Sequence, residues 1–323
     1  MNNRPLDSSP TPARIALGCM GMSGAYGKTD DAQSIAVIQT AIARGVTLLD
    51  TGDFYGAGHN ELLIGKAIAG RRDQVQLSVK FGVLRGPDNS MGGIDTRPAA
   101  LKNFLAYSLV RLGTDHVDVY RPARLDPAVP IEETIGALAD LVKAGYVRSI
   151  GLSEVGPETI RRAATVHPIA DLQIEYSLAS RDPEDAIFPV LAELGIGATL
   201  YGVLSRGLLS AGPIGAGDSR AHLPRFSGSN REANARLVSS LQDLATRWGM
   251  TPSQLAIGWV LGKQPQFVPT LGMRTIQQLD EALTATPLTA DQFAQVEAIA
   301  PRGAIAGTRY PAAAMISLDS ERR

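Results

Sequence analysis

The fold of this chain is decided by the stretch Leu48-Leu49-Asp50-Thr51-Gly52-Asp53-Phe54-Tyr55-Gly56. It starts as a short apolar run typical of a buried strand and ends in polar, glycine-rich sequence. A second stretch of the same form, Leu77-Ser78-Val79-Lys80, follows it. Each stretch places an ionisable side chain at the end of a predicted strand. Because neighbouring strands of a parallel barrel open their C-terminal ends onto one face, where active sites are built, the pattern predicts that Asp50, Tyr55 and Lys80 meet.

Short strand-like runs alternate with longer helical patterns along the rest of the chain. In residues 30–44, for example, apolar residues recur at helical spacing and Gly45 follows as a stop signal. Eight runs are strand-like: residues 14–17, 48–50, 77–80, 117–120, 147–152, 171–174, 196–201 and 267–270. The alternation predicts a single α/β domain, a (β/α)8 TIM barrel with extra helices and long βα loops at its C-terminal face. A doubly wound sheet is the alternative, but the chain has no Gly-x-Gly-x-x-Gly or P-loop sequence between a strand and a helix.

The same pattern divides the chain into three parts. We predict an N-terminal extension over residues 1–13, the barrel over residues 14–300, and a C-terminal tail over residues 301–323 that runs over the surface or is partly disordered. Residues 202–230 are rich in Gly, Ser, Arg and Pro and show no sustained periodicity. Loops of this length are usually functional, so we expect a binding loop there.

Composition argues against several classes of protein. The 323 residues are 44% hydrophobic with a formal net charge of -1, which gives no reason to expect a nucleic acid or an anionic membrane as partner. Cys19 is the one cysteine, so an internal disulfide is impossible and a reducing compartment fits. There is no signal-peptide pattern and no apolar run near the ~18 residues of a spanning helix. We expect a cytoplasmic protein, and no metal site, because the histidines lack partners at ligand spacing.

Six stretches resemble the aldo-keto reductase superfamily and occur in the family's order. They are residues 50–56, the strand end at Lys80, and residues 151–153, 173–177, 201–207 and 269–281. The resemblance implies a barrel that binds NADPH in an extended pose over its C-terminal mouth and reduces a small aldehyde or ketone to an alcohol. It also implies three catalytic roles: Tyr55 protonates the carbonyl oxygen, Lys80 lowers the pKa of the phenol, and Asp50 pairs with Lys80. A free phenol has a pKa near ~10, and a cation ~4 Å away can lower it by roughly two or three units at an effective dielectric of about 20.

The resemblance further implies the contacts to NADPH. Ser153 and Gln173 match the residues that bind the nicotinamide carboxamide, although Glu154 stands where an asparagine is commoner, and Tyr201 matches the aromatic that stacks on the nicotinamide ring. The loop over the pyrophosphate and the adenosine segment supply the other matches: Gly202, Leu204, Arg206, Gly207 and Leu209, then Gly272, Arg274, Gln278 and Glu281. Arg274 would meet the ribose 2′-phosphate, which favours NADPH over NADH because a guanidinium suits phosphate geometry.

One position departs from the family pattern. Ala123 stands where the family usually places a histidine after the fourth strand, and an alanine can neither donate to the substrate carbonyl nor orient it. By analogy with other oxyanion donors this costs about 10²-fold in rate, while it opens space for a bulkier ketone. Neighbouring Arg124 is a candidate to compensate. Met22, Tyr26 and His59 are further candidates for the substrate pocket.

Two other functions fit parts of the sequence. The missing histidine is compatible with an NADPH-binding sensor or regulatory subunit that turns over slowly, but no added interaction domain is visible, so we expect an enzyme without an obligate protein partner. Lys80 could instead form a Schiff base in a barrel lyase or isomerase. The cofactor-like segments at 201–209 and 272–281 argue against that alternative.

Overall fold

The computed structural model describes residues 14–25, 27–88, 90–210, 219–316 and 318–322. The strands in these residues are β1 (Ala16–Gly18), β2 (Leu48–Gly52), β3 (Gln76–Phe81), β4 (Val83–Arg85), β5 (Met91–Ile94), β6 (Val117–Pro122), β7 (Val147–Ser153), β8 (Ile169–Glu175), β9 (Gly197–Tyr201) and β10 (Val268–Gly272). All except β4 and β5 close into one parallel barrel, in the order β1, β2, β3, β6, β7, β8, β9, β10 and back to β1. The predicted (β/α)8 barrel is therefore confirmed.

Helices cover the outside of the barrel. They are α1 (Asp31–Ala43), α2 (His59–Ala67), α3 (Pro98–Leu112), α4 (Ile131–Lys143), α5 (Pro157–Val166), α6 (Pro183–Leu194), α7 (Gly228–Arg247), α8 (Pro252–Lys263), α9 (Ile276–Leu283), α10 (Ala290–Ile299) and α11 (Ala312–Ile316). Their starts are set by local signals. Asp30, for example, caps α1 by accepting the Gln33 N–H, and Thr251 forms a reciprocal capping box with Gln254 at α8.

Barrel strands are buried on both faces, because helices cover the outside and side chains fill the interior. All five residues of β2 are buried, and so are the last five of β3. Such strands lack the polar alternation of a half-exposed sheet, and their buried charges stand out against apolar neighbours. This places Asp50 and Lys80 inside the mouth of the barrel, each 5% exposed.

Two features differ from the sequence-based expectation. None of the predicted strand-like runs lies between residues 81 and 96, but β4 and β5 pair there as an antiparallel hairpin. The strand Met91–Ile94 contains two glycines, and its local strand propensity is too weak to signal the pairing. The chain after residue 300 also packs on the barrel instead of running over the surface, since Ile305, Arg309 and Leu318 are buried. The predicted division into extension, barrel and tail stays a prediction.

No helix in the described part of the chain has the length and apolar character needed to cross a membrane.

Candidate active site

Parallel register places Asp50 and Lys80 side by side. β2 and β3 pair with Asp50 opposite Ser78 and Gly52 opposite Lys80. The Lys80 Nζ atom donates hydrogen bonds to Asp50 Oδ2 at 2.5 Å and to Gln173 Oε1 at 2.9 Å. Ser78 Oγ donates to the other Asp50 oxygen at 2.9 Å. The buried ammonium therefore has a fixed anionic partner, as a buried charge requires.

A tight turn after β2 carries Tyr55. Residues Tyr55–Gly58 form a short 3₁₀ turn in which Gly56 and Ala57 have φ values of 57° and 51°. This left-handed conformation suits glycine and is strained for alanine. The turn sets the Tyr55 ring beside Lys80, whose Nζ atom lies 5.3 Å from the ring centroid. The structure thus brings together the three side chains singled out from the sequence.

Opposing effects set the pKa of Lys80. Burial lowers the pKa of Lys80, and the nearby guanidinium groups of Arg121 and Arg124 lower it further. The Asp50 carboxylate raises it, both as a charge and as a hydrogen-bond acceptor. The net result is a pKa of Lys80 below its ordinary value, and Asp50 is the group that favours the ammonium form.

Gln173 closes this network. Its Nε2 donates to Asp50 Oδ1 at 2.8 Å and to Thr199 Oγ1 at 3.3 Å, while its Oε1 accepts from Lys80. Gln173 pairs with Ser153 in the register of β7 and β8, and both are buried. The two residues that the resemblance assigns to the nicotinamide carboxamide thus lie on adjacent strand ends, next to Lys80.

A second buried ion pair is linked to the first. The Arg121 guanidinium donates to Asp171 Oδ2 at 3.0 Å and to Ser78 Oγ at 3.0 Å, and Ser78 in turn donates to Asp50. Gly151 makes room for the pair, because a Cβ there would lie 2.8 Å from Asp171 Oδ1. This pair was not predicted from the sequence. The available signal was an arginine directly after the strand-like run 117–120.

Glu154 begins the loop after β7 with a φ of 55°. Its fully buried carboxylate accepts two hydrogen bonds from Arg309, at 2.8 Å and 2.5 Å. Tyr201 Oη donates to it at 2.8 Å and Ser320 Oγ at 2.7 Å. Burial opposes ionisation, but the Arg309 guanidinium lowers the pKa of Glu154 to about 2. Glu154 is thus an anion at neutral pH that fixes the hydroxyl of Tyr201.

Arg309 and Ser320 belong to a segment that we call the C-terminal strap, residues 305–316 and 318–322. Asp319 Oδ2 accepts the Gly156 N–H at 2.8 Å, so the strap is tied to the loop after β7 at more than one point. A buried ion pair between residues so far apart in sequence leaves no local periodicity. The strap therefore gave no signal in the sequence.

The loop after β9 carries the residues that the resemblance assigns to the pyrophosphate. They are Gly202, Leu204, Arg206, Gly207 and Leu209, and the last three lie in a short 3₁₀ segment. The half-buried Arg206 guanidinium lies 4.3 Å from the Tyr310 ring centroid and 3.6 Å from Glu175 Oε2. Gly207 has a φ of 93°, and a Cβ there would lie 2.5 Å from Arg220 Nη1. Only glycine fits this position without a shift of the arginine.

The residues matched to the adenosine end lie at the end of β10 and in α9. Gly272 is exposed at the end of β10. The Arg274 N–H donates to Gln278 Oε1 at 2.7 Å, and the Arg274 guanidinium donates to the Lys28 carbonyl oxygen. Glu281 accepts a hydrogen bond from the side chain that caps α8. Arg274 is thus a half-buried cation just before the N-terminus of α9.

Ala123 and Arg124 directly follow β6. The Ala123 N–H donates to the Phe81 carbonyl at 2.9 Å, which ties the start of the loop to β3. Ala123 is buried, and Arg124 is half-buried with its Nη1 donating to the Ala123 carbonyl at 2.6 Å. The guanidinium therefore stays next to the position that lacks the family's histidine.

The other pocket candidates are more loosely connected to the trio. Met22 is 1% exposed in the hydrophobic core. His59 Nδ1 lies 2.9 Å from Ser23 Oγ, and its Nε2 lies 3.2 Å from Asp31 Oδ2. Tyr26 lies outside the described residues. In the part of the chain that the structure describes, no three His, Cys, Asp or Glu side chains are grouped to hold a metal ion.

A carboxyl pair next to the Tyr55 turn, Asp53 and Glu61, was also not predicted from the sequence. Burial and the neighbouring Glu61 raise the pKa of Asp53 to about 7. Arg111 Nε donates to Glu61 Oε2 at 2.5 Å, and Asp53 Oδ1 is buried without a hydrogen-bond partner among the described residues. Two carboxyl groups thus share one guanidinium, which favours a proton on Asp53.

Comparison with known proteins agrees with the fold. Residues 14–301 match the Aldo/keto reductase family. The chain is 39% identical over 309 residues to a probable aldo-keto reductase 1 from Glycine max, covering 92% of this chain and 88% of that protein. It resembles a glycerol dehydrogenase from Gluconobacter oxydans (TM-score 0.82, 28% identity, 92% and 94% of the chains covered). It also resembles a Klebsiella pneumoniae aldo/keto reductase solved with NADP and acetate (TM-score 0.71, 25% identity, 92% and 94% covered).

The chain therefore belongs to the aldo-keto reductase family. It is an oxidoreductase of the class that interconverts small-molecule carbonyl compounds and alcohols.

Proposed function

We propose that this protein uses NADPH to reduce an aldehyde or ketone to an alcohol, with Tyr55 as the proton donor. The observation that carries the proposal is the buried contact between Lys80 and Asp50, with the Lys80 ammonium 5.3 Å from the centroid of the Tyr55 ring. A phenol beside a fixed cation gives up its proton more readily than a free phenol, because the cation stabilises the phenolate.

The residues at the barrel mouth suit a dinucleotide with a 2′-phosphate. Arg206 and Arg274 supply guanidinium groups on the loops after β9 and β10, and the N-terminus of α9 favours a negative charge close by. The Klebsiella pneumoniae relative was solved in complex with NADP, which supports this choice. NADPH, when bound, would supply the hydride, and Tyr201 would face the nicotinamide ring. Because Glu154 is held by Arg309, Ser153 and Gln173 are left as the proposed carboxamide contacts.

Proton transfer is the part of the reaction that this chain performs itself. Tyr55 donates its hydroxyl proton to the carbonyl oxygen as the carbonyl carbon is reduced. The Lys80 ammonium stabilises the phenolate that remains, and Asp50 and Gln173 hold the ammonium in place. These contacts favour a cation at Lys80 over the free amine that a Schiff base requires, which argues against the lyase alternative.

The proposal is tested by comparing the wild type with Tyr55→Phe on a panel of aldehydes and bulky ketones, following NADPH absorbance. We expect kcat to fall by at least about 10²-fold, since general acid catalysis contributes that much or more. The dissociation constant for NADPH should change little. Tyr107→Phe is the matched control, because Tyr107 is 57% exposed on α3 and its substitution should leave kcat unchanged.

Unchanged turnover in Tyr55→Phe would remove Tyr55 from the mechanism. Tight NADPH binding without turnover of any carbonyl compound would favour the alternative of a slow NADPH-binding sensor or regulatory subunit.

A further inference from the structure

Unlike the buried arginines, the half-buried Arg124 has no anionic partner among the residues that the structure describes. Arg121, Arg181, Arg225 and Arg309 are each less than 9% exposed, and each pairs with a carboxylate. Arg124 is half-buried and forms no ion pair with any residue that the structure describes. A cation removed from water without a counter-charge is costly, and proteins usually pair it.

The hydrogen bonding of Arg124 is incomplete as well. A guanidinium has five N–H donors, and the Arg124 group uses Nη1 for the Ala123 carbonyl at 2.6 Å. Its other nitrogens have no hydrogen-bond acceptor among the described residues. The bond to Ala123 fixes the group while leaving donors for a ligand.

The surroundings of Arg124 are those of the proposed reaction site. Burial opposes its charge, but the nearby Tyr201 and Tyr310 raise the pKa of Arg124 above its ordinary value, and Glu154 and Tyr55 act in the same direction. Glu154 does not pair with Arg124, because its carboxylate is bound by Arg309. The cation thus lies among the aromatic groups proposed to contact nicotinamide and substrate.

We propose that Arg124 binds the carboxylate of the substrate, so that this enzyme prefers oxo acids with the carboxylate next to the carbonyl group. This rests on the proposed reductase function and assigns its substrate class. A guanidinium binds a carboxylate through two parallel hydrogen bonds, which would orient the carbonyl oxygen toward Tyr55. By binding the carboxylate, Arg124 would orient the substrate carbonyl, a role that the side chain of Ala123 cannot perform.

The test uses a matched pair of substrates, benzoylformate and its methyl ester, which share one ketone and differ in the charge next to it. The measured quantity is kcat/KM for the acid divided by kcat/KM for the ester. We expect this ratio to fall by about 30-fold in Arg124→Met, as for loss of a charge-assisted hydrogen bond. Arg124→Lys should recover part of the loss. Arg97→Met is the control, because Arg97 is exposed and pairs with Asp95 before α3.

A second measurement does not depend on turnover. Calorimetry with benzoate and NADP⁺-saturated protein should show binding to the wild type that weakens by about 30-fold in Arg124→Met. Benzoate binding and Tyr55→Phe kinetics separate the two proposals, since either can fail while the other holds. An equal acid-to-ester ratio in wild type and Arg124→Met, or no benzoate binding, would overturn the carboxylate site. If Arg124→Met weakens NADPH binding and leaves the ratio unchanged, Arg124 serves a cofactor phosphate and the proposal is wrong.

Discussion

Asp50 acts on the reaction through the charge of a neighbouring residue. It raises the pKa of Lys80 against the effect of burial, so a neutral residue at position 50 should let the ammonium lose its proton at lower pH. We predict that Asp50→Asn moves the basic limb of the pH profile of kcat/KM to lower pH. The protonated ammonium stabilises the phenolate, so activity disappears as pH rises through the reduced pKa. The pH profile for any active carbonyl substrate measures the shift.

Ser78→Ala is the matched control for this prediction. It removes one hydrogen bond to Asp50 but keeps the carboxylate charge, so the basic limb should stay close to that of the wild type. If the basic limb of the Asp50→Asn profile stays at the wild-type pH, groups other than Asp50 keep Lys80 protonated.

At the scale of elements, Asp53 in the turn after β2 lies near Glu61 of α2 and Arg111 of α3. The pKa of Asp53 is raised from 3.8 to about 7, chiefly by burial, so the folded protein keeps a proton there that the unfolded chain releases. The contribution of Asp53 to the free energy of unfolding therefore falls as pH rises from about 4 to about 7 and stays low above that range. We predict that Asp53→Asn matches the wild type near pH 4 and is more stable at pH 7.5. One pKa unit is about 1.4 kcal/mol, so the upper bound is about 4 kcal/mol.

Urea unfolding at both pH values measures this difference. Asp73→Asn, an exposed aspartate in the turn before β3, is the control for a general effect of charge. A constant difference between Asp53→Asn and wild type at pH 4 and pH 7.5 would show that Asp53 does not hold the proton.

At the scale of the whole molecule, the C-terminal strap is tied to the barrel by a buried ion pair. Removing the cation in Arg309→Ala leaves Glu154 buried without its partner, which typically costs about 3–5 kcal/mol. We predict faster hydrogen exchange across the C-terminal strap, because the variant loses this ion pair. We also predict a higher KM for NADPH, because Glu154 fixes the Tyr201 hydroxyl. Hydrogen-exchange mass spectrometry and initial rates measure the two effects.

Two further variants separate this role from a general loss of charge. Arg302→Ala removes an exposed ion pair with Asp185 in the same part of the chain and should cost at most about 1 kcal/mol. Adding Glu154→Gln to Arg309→Ala should restore part of the stability, because it removes the unpaired charge. An Arg309→Ala variant with wild-type exchange in the strap would contradict the anchoring role.

The sequence by itself determined the barrel and the trio at its mouth. Strand and helix periodicity is local, and side chains at the ends of neighbouring parallel strands must share one face. The proximity of Asp50, Tyr55 and Lys80 was therefore expected from the strand ends and the shared face of the barrel. The family resemblance added the expected cofactor residues, whose roles stay predictions.

Only the tertiary structure decided how the charges are paired. Three groupings of charged side chains join separate elements: Arg309 with Glu154, Arg121 with Asp171, and Asp53 with Glu61. Sequence periodicity is local and does not indicate such contacts. The hairpin β4–β5 was missed because both strands are short and β5 contains two glycines. Only the three-dimensional structure showed that Arg124 lacks an anionic partner among the described residues, because a missing partner is a property of the surroundings of a residue and not of its neighbours in sequence.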